Sequence, residues 1–336
     1  MKLALVGTLG GTHIGGSLLR GAAKLGIESI WFDADKASAG PRLLRSLSWH
    51  LTDRWPLYLR RFEKELVAAC ASAKPQFLIA TGMAPLTESA LRALRQMNIV
   101  CVNYSTDDPW NAAMRSSWHL RALPSYAVIF STRRSNLNDF QRLGCPNVHY
   151  LAFGYDETLW CPVRSGQAPA HDAHDVLFVG GADADRAVFM TEFMCHGLPV
   201  AVVGGYWERY PTFRACALGI KPPEVIRALT MAAKVNICLV RRANRDGHVM
   251  RSFEIAAAGG CMLAQDTDEH REIFGRDGEA VVYFRDAKEA ALRARALLCD
   301  LPERKRLAAR LHRCVAGGTH TYAHRLATML GIASGK

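Results

Sequence analysis

Short apolar runs alternate with amphipathic segments along the whole chain. The runs at residues 2–8 (KLALVGT), 100–105 (VCVNYS) and 175–181 (DVLFVGG) have the length of buried strands, and turn formers follow each of them. Segments such as 17–26 (SLLRGAAKLG) have helical spacing. This alternation predicts an α/β protein with parallel sheets. The chain has 336 residues and is 49% hydrophobic, which is enough for two domains that each have a core.

Glycine pairs follow two of the predicted strands in the second half. Residues 175–181 end in Gly180 and Gly181, and Arg186 follows closely enough to reach a phosphate bound there. Residues 198–207 (LPVAVVGGYW) repeat this design with Gly204, Gly205, Tyr206 and Trp207, and a turn with Ile220 and Lys221 precedes a helix that starts with proline. A strand followed by Gly-Gly is common in α/β proteins, so only the ordered series points to a nucleotide domain.

Residues 241–265 (RRANRDGHVMRSFEIAAAGGCMLAQ) combine acidic, basic and small side chains around one predicted helix. The helix is expected to start near Asp246 and to end at Gly259 and Gly260, and its free N–H groups favour a phosphate. Arg245, His248 and Arg251 would add donors, and the Glu254 carboxylate can accept two hydrogen bonds from a ribose diol. The alternative interpretation is a helix cap with ion pairs inside the helix.

The same stretch carries a family resemblance. Asn244, Arg245, Asp246, His248, Arg251, Phe253 and Glu254 follow the pattern N-R-D-x-H-x-x-R-x-F-E, and a small-residue run with Gly-Gly comes next. This pattern resembles the spore-maturation protein CgeB-like glycosyltransferases. It is similar more broadly to the donor motif of family 4 glycosyltransferases, which has two acids separated by seven residues. The first acid here is Asp246 instead of the glutamate of the broader family, which leaves its role toward the sugar open.

The resemblance implies a GT-B fold, in which two Rossmann-like domains face each other across an interdomain cleft. Glu254 would hold the ribose of a nucleotide-diphosphate sugar, and Asp246 would contact the sugar as a catalytic residue. The donor-binding residues expected on this basis are Gly180, Gly181, Arg186, Gly204, Gly205, Tyr206, Trp207, Ile220, Lys221, Arg245, Gly247, His248, Arg251, Glu254, Gly259 and Gly260.

In the first half, a glycine-rich loop follows the first strand. Gly10 and Gly11 are expected near the acceptor or the sugar, and His13 is a candidate general base for an inverting enzyme. A hydrogen-bonding or exposed role for His13 is the alternative, and a retaining enzyme needs no base there. The loop also suggests a rival dinucleotide-binding domain, although its glycines lack the G-x-G-x-x-G spacing.

Two adjacent acids follow the strand at residues 100–105. Asp107 and Asp108 precede Pro109, and carboxylates at strand ends in open α/β sheets lie where ligands bind. The resemblance implies that they position the sugar or the acceptor, with Asp108 also a catalytic candidate. The alternative is a cap by Asp108 before Pro109. Adjacent acids without D-x-D spacing do not favour a metal site, and we expect none.

The predicted domains are an acceptor domain at 1–158, a donor domain at 159–316 and a C-terminal helix at 317–336 that packs back on the first domain. Residues 154–175 are rich in turn formers and are expected to connect the domains. His171 and His174 lie in this stretch, and a flexible linker is favoured over a metal site because no third and fourth ligands accompany them.

Charge and composition limit the classes of partner that we expect for this protein. The net charge is +11, but basic residues are spread along the chain and match no nucleic-acid-binding module, so we expect no nucleic-acid partner. Binding of an anionic nucleotide donor accounts for part of the excess positive charge. Weak peripheral docking to an anionic membrane leaflet would account for the rest. The start of the chain lacks a signal-peptide pattern and the ten cysteines form no C-x-x-C pair, so we expect a cytoplasmic protein.

The sequence thus predicts a metal-independent glycosyltransferase without a cofactor, which moves a sugar from a nucleotide-diphosphate sugar to an unknown acceptor in bacterial cell-surface glycan synthesis. A GT-B-fold sugar-nucleotide epimerase is the first alternative. A Rossmann NAD(P)-dependent oxidoreductase and a non-catalytic nucleotide-sugar binding protein are the others.

Overall fold

The structure, a computed structural model, describes residues 1–10, 13–162 and 174–335, and these form two compact units. Unit 1 comprises Met1–Ala152, Ala243–Arg245 and Tyr322–Lys336, and unit 2 comprises Phe153–Arg242 and Asp246–Thr321. These limits differ by a few residues from the predicted divisions at 158 and 316. The sequence also gave no sign that Ala243–Arg245 is part of unit 1.

Unit 1 contains a parallel sheet whose strand order is β2-β1-β3-β4-β5-β6. Its elements are β1 (Lys2–Gly7), α1 (Ile14–Lys24), β2 (Glu28–Asp33), α2 (Arg42–Leu51), α3 (Leu59–Ala73), β3 (Phe77–Thr81), α4 (Glu88–Gln96), β4 (Val100–Ser105), α5 (Ser117–Ala122), β5 (Val128–Ser131), α6 (Leu137–Arg142), β6 (Val148–Tyr150) and, at the end of the chain, α13 (Tyr322–Ala333).

The central strands of unit 1 are apolar on both faces because helices cover both sides of the sheet. β1, β3 and β4 are buried along almost their whole length. α13 packs against α1, where a Cβ at Gly21 would come within 3.0 Å of the Ala323 nitrogen. Glycine at position 21 therefore permits the close approach of the two helices.

Unit 2 repeats the design with a parallel sheet of order β11-β10-β9-β7-β8. Its elements are β7 (Val176–Val179), α7 (Ala184–Cys195), β8 (Val200–Val203), α8 (Pro223–Ala232), β9 (Val235–Cys238), α9 (Met250–Ala258), β10 (Met262–Gln265), α10 (Asp268–Phe274), β11 (Val282–Phe284), α11 (Ala287–Cys299) and α12 (Leu301–Ala316). The predicted α/β class with parallel sheets is confirmed.

The helix that carries the family motif starts later than expected. α9 begins at Met250, so Asp246 and His248 lie in the loop before it and not in its first turn. α9 ends at Gly259, whose φ of 79° is in the left-handed region where glycine carries no steric penalty. In the part of the chain that the structure describes, no helix is both long enough and apolar enough to cross a membrane.

Candidate functional site

In unit 2 the strand order reverses between β7 and β9. β7 has β8 on one side and β9 on the other, so the loops after β7 and β9 leave the sheet in diverging directions. Ligands of open α/β sheets bind at such switch points, outside the carboxyl ends of the strands. The two glycine pairs and the loop before α9 all follow strands at this edge.

The two glycine pairs are brought into direct backbone contact. The Gly180 N–H donates to the Val203 carbonyl (2.8 Å), and the Ala182 N–H donates to the Gly205 carbonyl (2.9 Å). A Cβ at Gly204 would lie 2.3 Å from the Gly180 oxygen, so only glycine fits there. The result is a glycine-lined surface of bare backbone, which a ligand can approach closely.

Tyr206 and Ile220 flank this surface. Tyr206 has a φ of 71° and is 54% exposed, while Ile220 is 81% exposed and its side chain lies next to Gly205. Lys221 beside it is half-buried. An exposed aromatic ring and an exposed aliphatic chain offer a surface on which a planar base can pack.

Trp207 corrects one predicted donor contact. Its side chain is buried among Phe178 and Phe213, and its indole N–H donates to the Gly180 carbonyl (2.8 Å). Since the only polar atom of the indole is occupied, Trp207 supports the glycine loop from beneath and does not offer a contact to a ligand.

Arg186 and Arg241 converge at the same edge. Both guanidinium groups lie near one carboxylate, with Asp183 Oδ2 3.8 Å from Arg186 Nε and 3.6 Å from Arg241 Nε. Burial, together with the neighbouring charge of Arg241, lowers the pKa of Arg186. Arg186 also donates to the Gly181 carbonyl (3.1 Å), which points its guanidinium at the loop after β7. Two cations that share one acid form a favourable place for a further anion.

Asp246 closes the loop between β9 and α9. Its carboxylate accepts a hydrogen bond from the Arg241 backbone N–H (3.3 Å), and its own N–H donates to the Arg241 carbonyl (3.3 Å). Asp246 is half-buried. This places its carboxylate close to Arg186, where its charge partly opposes the lowering of the Arg186 pKa by burial.

Arg251 and Glu254 form a buried ion pair on α9. Arg251 NH1 lies 2.5 Å from Glu254 Oε2, and the two side chains are 11% and 4% exposed. Apart from this ion pair, Glu254 Oε2 has no hydrogen-bond partner among the described residues, and neither has Arg251 Nε. Burial raises the pKa of Glu254, against the opposing effect of Arg251. The Arg251 guanidinium also lies over the Trp160 ring, 5.1 Å from its centre.

The predicted donor-binding roles of Arg251 and Glu254 stay predictions. Arg251 was expected to meet a phosphate and Glu254 a ribose, whereas here each faces the other and Trp160 covers the guanidinium. A buried carboxylate with a single cationic neighbour retains capacity to accept hydrogen bonds.

His248 is likewise committed to the protein and corrects a predicted phosphate contact. Its ring is fully buried, and the Phe153 N–H donates to its Nε2 (3.0 Å). Nδ1 therefore carries the proton and donates to Glu269 Oε2 (2.6 Å). Glycine at position 247 leaves room for the Glu269 side chain, because a Cβ there would lie 2.5 Å from the Glu269 carboxyl carbon. Both residues organise the loop before α9 and offer no side-chain donor to a ligand.

Gly259 and Gly260 lie at the wrong end of α9 for the predicted donor contact. A nine-residue helix is about 13 Å long, and the carboxyl end of β9 is at its start. Gly259 ends the helix, and a Cβ at Gly260 would meet the Asn236 amide nitrogen at 2.8 Å. Both glycines have a packing role.

Arg245 and Asp108, two predicted site residues, bind each other within unit 1. Arg245 Nε donates to Asp108 Oδ2 (2.7 Å) and NH2 donates to Oδ1 (3.0 Å), while NH1 donates to Asp139 (2.8 Å). Asp108 Oδ1 also accepts from the Trp110 N–H and the Asn136 amide, both at 2.9 Å. These hydrogen bonds, Asp108 first, raise the pKa of Arg245.

This clamp corrects three predictions. The Asp108 carboxylate is 1% exposed and surrounded by donors, so it is available neither as a catalytic group nor as a sugar ligand. Arg245 is not free to bind a donor phosphate. The alternative cap by Asp108 agrees with the observed bond from the Trp110 N–H, although a turn and not a helix follows.

The other predicted residues of unit 1 lie at the carboxyl edge of its own sheet. Asp107 follows β4, is half-buried, and its Oδ2 would be 3.0 Å from a Cβ at Gly82. His13 is exposed and immediately precedes α1, and its N–H donates to the Gly10 carbonyl (3.2 Å). Gly10 itself has a φ of 85°. The predicted roles of His13, Gly10 and Asp107 stay predictions, and Gly11 lies outside the described residues.

No group of three or more histidine, cysteine, aspartate or glutamate side chains within residues 1–10, 13–162 and 174–335 could hold a metal ion. His171, one of the two linker histidines, lies outside the described residues.

Sequence reasoning missed Arg241, Asp183 and Trp160. Arg241 could have been found, since it follows the buried strand β9 as Arg186 follows β7. Asp183 caps α7 by accepting the Arg186 N–H (3.0 Å), a typical N-terminal acid. Nothing in the sequence near Trp160 signals its contact with Arg251, which lies 91 positions later in the chain.

Solved structures match this chain over nearly its full length. Sucrose-phosphate synthase from Thermosynechococcus elongatus superposes with a TM-score of 0.72 at 15% identity, covering 99% of this chain and 98% of that chain. The HepE protein of Anabaena, in complex with UDP-glucose, gives 0.66 at 14% identity and covers all of both chains. A Listeria monocytogenes protein assigned as a UDP-N-acetylglucosamine 2-epimerase gives 0.61 at 10% identity, covering 98% and 95%.

These likenesses define the class: the chain has the GT-B fold, with two parallel-sheet α/β domains, as the sequence predicted. Residues 186–331, which include the Arg251–Glu254 pair, match the family described as Glycosyl transferase-like. No curated protein matches the sequence.

Proposed function

We propose that this protein is a glycosyltransferase that takes a sugar from a nucleotide-diphosphate sugar bound to unit 2. The observation that carries the proposal is the buried Glu254 carboxylate, which lies one turn into the helix after switch-point strand β9 and has spare capacity to accept hydrogen bonds. It lies inside the segment that matches the glycosyl transferase-like family. A UDP-sugar is the donor we favour, since the HepE structure holds UDP-glucose.

Arg186 and Arg241 are the residues we assign to the diphosphate. They come from the loops after β7 and β9, they lie on either side of Asp183, and the bare backbone of Gly180 and Gly181 adjoins them. A diphosphate at this place would relieve the repulsion between the two guanidinium groups. It would also bring two charges to the developing leaving group, where preorganised cations stabilise the transition state.

Glu254 is the residue we assign to the ribose. Two hydroxyl groups would donate to its carboxylate and replace the contact with Arg251. The freed Arg251 guanidinium would then be available to the donor. Tyr206 and Ile220 provide the exposed apolar surface for the base.

Asp246 is the residue we assign to the sugar hydroxyls. Its half-buried carboxylate is held by the Arg241 N–H, close to the proposed diphosphate site. His13 remains our candidate for a general base toward the acceptor if the enzyme inverts. A metal-independent reaction, the CgeB-like subtype, a cytoplasmic location and a role in cell-surface glycan synthesis are parts of the same proposal.

A sugar-nucleotide epimerase is the second candidate, favoured only by the likeness in fold to the Listeria monocytogenes protein. Such an enzyme isomerises its substrate without an acceptor. Incubation of UDP-sugars with the protein alone, followed by separation of the sugar nucleotides, distinguishes the two. A new isomer would favour the epimerase, whereas the proposal predicts an unchanged donor apart from slow hydrolysis.

The direct test is calorimetric titration with UDP, UDP-glucose and UDP-N-acetylglucosamine. We expect binding by the wild-type protein and at least about tenfold weaker binding by Glu254→Gln, because the amide loses the charge that ribose hydroxyls recognise.

Glu303→Gln is the matched control. Glu303 and Arg306 also form an i,i+3 ion pair on a helix of unit 2, but on its surface. We expect this variant to bind like the wild type. Equal affinities of Glu254→Gln and the wild type would remove the ribose assignment, and no binding of any nucleotide by the wild type would remove the proposed function.

A further inference from the structure

Helix α2 of unit 1 is exposed along its whole length. None of its ten residues is buried, whereas α1, α3 and α4 each bury an apolar face against the sheet. A surface helix ordinarily turns its apolar stripe to the core. α2 therefore has an apolar surface that no other element of the described residues buries.

The exposed surface is a stripe of leucines. Leu43, Leu47 and Leu51 are spaced four residues apart and lie on one side of the helix, and Leu44 adjoins them. Their exposed fractions are 79%, 54%, 76% and 49% for Leu43, Leu47, Leu51 and Leu44. Four large apolar side chains in one stripe form a patch, in contrast to the single exposed leucines found on most proteins.

The cations of α2 are exposed as well. Arg42, Arg45 and Ser46 line a concavity of about 420 Å³ together with the following loop, which includes Trp55 and Leu57.

The segment after α2 fixes this orientation. Asp53 and Arg54 have left-handed φ values of 54° and 59°, which only strong local contacts maintain in non-glycine residues. Asp53 accepts a hydrogen bond from the Ser117 N–H (2.6 Å). Arg54 donates to three main-chain carbonyls in the loop at residues 112–115. The leucine stripe is therefore presented by a pinned element.

Charge indicates what covers the stripe. The segment 42–54 contains Arg42, Arg45 and Arg54 and one acid, Asp53, which is already bonded. The whole chain carries a net charge of +11. An anionic bilayer surface matches both features, because the acyl boundary accepts apolar side chains and the lipid phosphates attract the flanking cations. A ten-residue helix is about 15 Å long, half the thickness of the hydrocarbon core, so it would lie in the plane of the interface.

We propose that α2 docks unit 1 on the surface of an anionic lipid bilayer, with Leu43, Leu44, Leu47 and Leu51 inserted at the acyl boundary. The proposal depends on the geometry of α2 alone and not on sugar transfer, so it stands or falls separately from the proposed function.

Co-sedimentation with vesicles tests it. We expect the full-length protein to bind vesicles of equimolar phosphatidylcholine and phosphatidylglycerol, and to bind vesicles of phosphatidylcholine alone far more weakly. The variant Leu43→Ser/Leu47→Ser/Leu51→Ser should bind the anionic vesicles about 100-fold more weakly, because three inserted side chains are lost. Because these three leucines are 79%, 54% and 76% exposed, the variant should keep the wild-type circular dichroism and melting temperature.

The control changes three exposed leucines elsewhere. Leu25→Ser/Leu292→Ser/Leu301→Ser removes side chains that are 42%, 68% and 50% exposed but form no stripe, and it should bind like the wild type. The proposal is overturned if the wild type does not bind the anionic vesicles, or if the α2 variant binds them as well as the wild type. It is also overturned if light scattering shows a wild-type dimer that the α2 variant abolishes, since the stripe would then cover a second copy.

Discussion

Replacement of Arg245 by alanine separates the structural role of this side chain from the donor-binding role that its sequence motif suggests. In the structure Arg245 forms two hydrogen bonds to Asp108 and one to Asp139, all within unit 1. The variant removes all three. We expect it to lower the stability of unit 1 and to leave the affinity for UDP unchanged.

The expected loss of stability can be estimated from the exposure of the two partners, Asp108 and Arg245. Asp108 is 1% exposed, so its charge depends on its partners, but the Arg245 side chain is 42% exposed and solvent screens part of its effect. Hydrogen bonds to charged groups contribute roughly 1.5–3 kcal/mol each when buried. The Trp110 N–H and the Asn136 amide still donate hydrogen bonds to Asp108 after the replacement of Arg245. We therefore expect a net loss of about 2–3 kcal/mol, or about 4–12 °C in the melting temperature of a unit of this size.

Two further variants make the test quantitative. Arg245 has a φ of 54°, so Arg245→Gly should lose about 1 kcal/mol less than Arg245→Ala, because glycine removes the left-handed penalty. Arg245→Lys keeps the charge but not the two-pronged geometry and should fall between alanine and the wild type.

Calorimetric melting and UDP titration of the same samples check the prediction. A melting temperature within about 1 °C of the wild type, combined with a tenfold loss of UDP affinity, would refute the clamp and restore the phosphate role.

The remaining predictions concern the glycine loop and two buried histidines. Gly204→Ala should destabilise unit 2 by about 3 kcal/mol or more in urea unfolding, since its Cβ would lie 2.3 Å from the Gly180 oxygen, whereas Gly205→Ala meets nothing closer than 3.5 Å and should cost far less. Burial lowers the pKa of His119 and of His270 to about 4 from 6.5. The unfolded chain takes up these protons as the pH drops through about 6.5, whereas the folded chain takes them up only near pH 4. The free energy of unfolding should therefore decrease as the pH is lowered across this window, by about 3 kcal/mol for each ring. His119→Phe, which gives up no hydrogen bond seen among the described residues, should reduce the fall by about that amount, and an unchanged pH profile would contradict the assignment.

The elements of unit 2 could be predicted because their signals are local. A short apolar run ending in Gly-Gly identified β7 and β8, and the small-residue run ending in Gly259 identified α9. The start of α9 was placed about four residues too early. Asp246 resembles an N-terminal cap, but its carboxylate closes the preceding loop on the Arg241 N–H.

The partners of the motif side chains could not be predicted, because they are distant in sequence. Arg245 and His248 are three positions apart, yet Arg245 bonds to Asp108, 137 positions earlier, and His248 to Phe153, 95 positions earlier. A motif gives residue types in order, and burial decides which of them are occupied by the protein itself.

Helix α2 is a second case in which the sequence pattern does not reveal the environment of the side chains. The spacing of Leu43, Leu47 and Leu51 is typical of a helix that buries its leucines. Only the exposed fractions of these side chains show that the stripe faces solvent.

The central claim is that unit 2 holds a nucleotide-diphosphate sugar at the start of α9. A crystal structure of the protein with UDP-glucose tests it most directly. We predict ribose hydroxyls within about 3 Å of the Glu254 carboxylate and the diphosphate between Arg186 and Arg241. A nucleotide bound elsewhere, with the Arg251–Glu254 pair unchanged, would contradict the account.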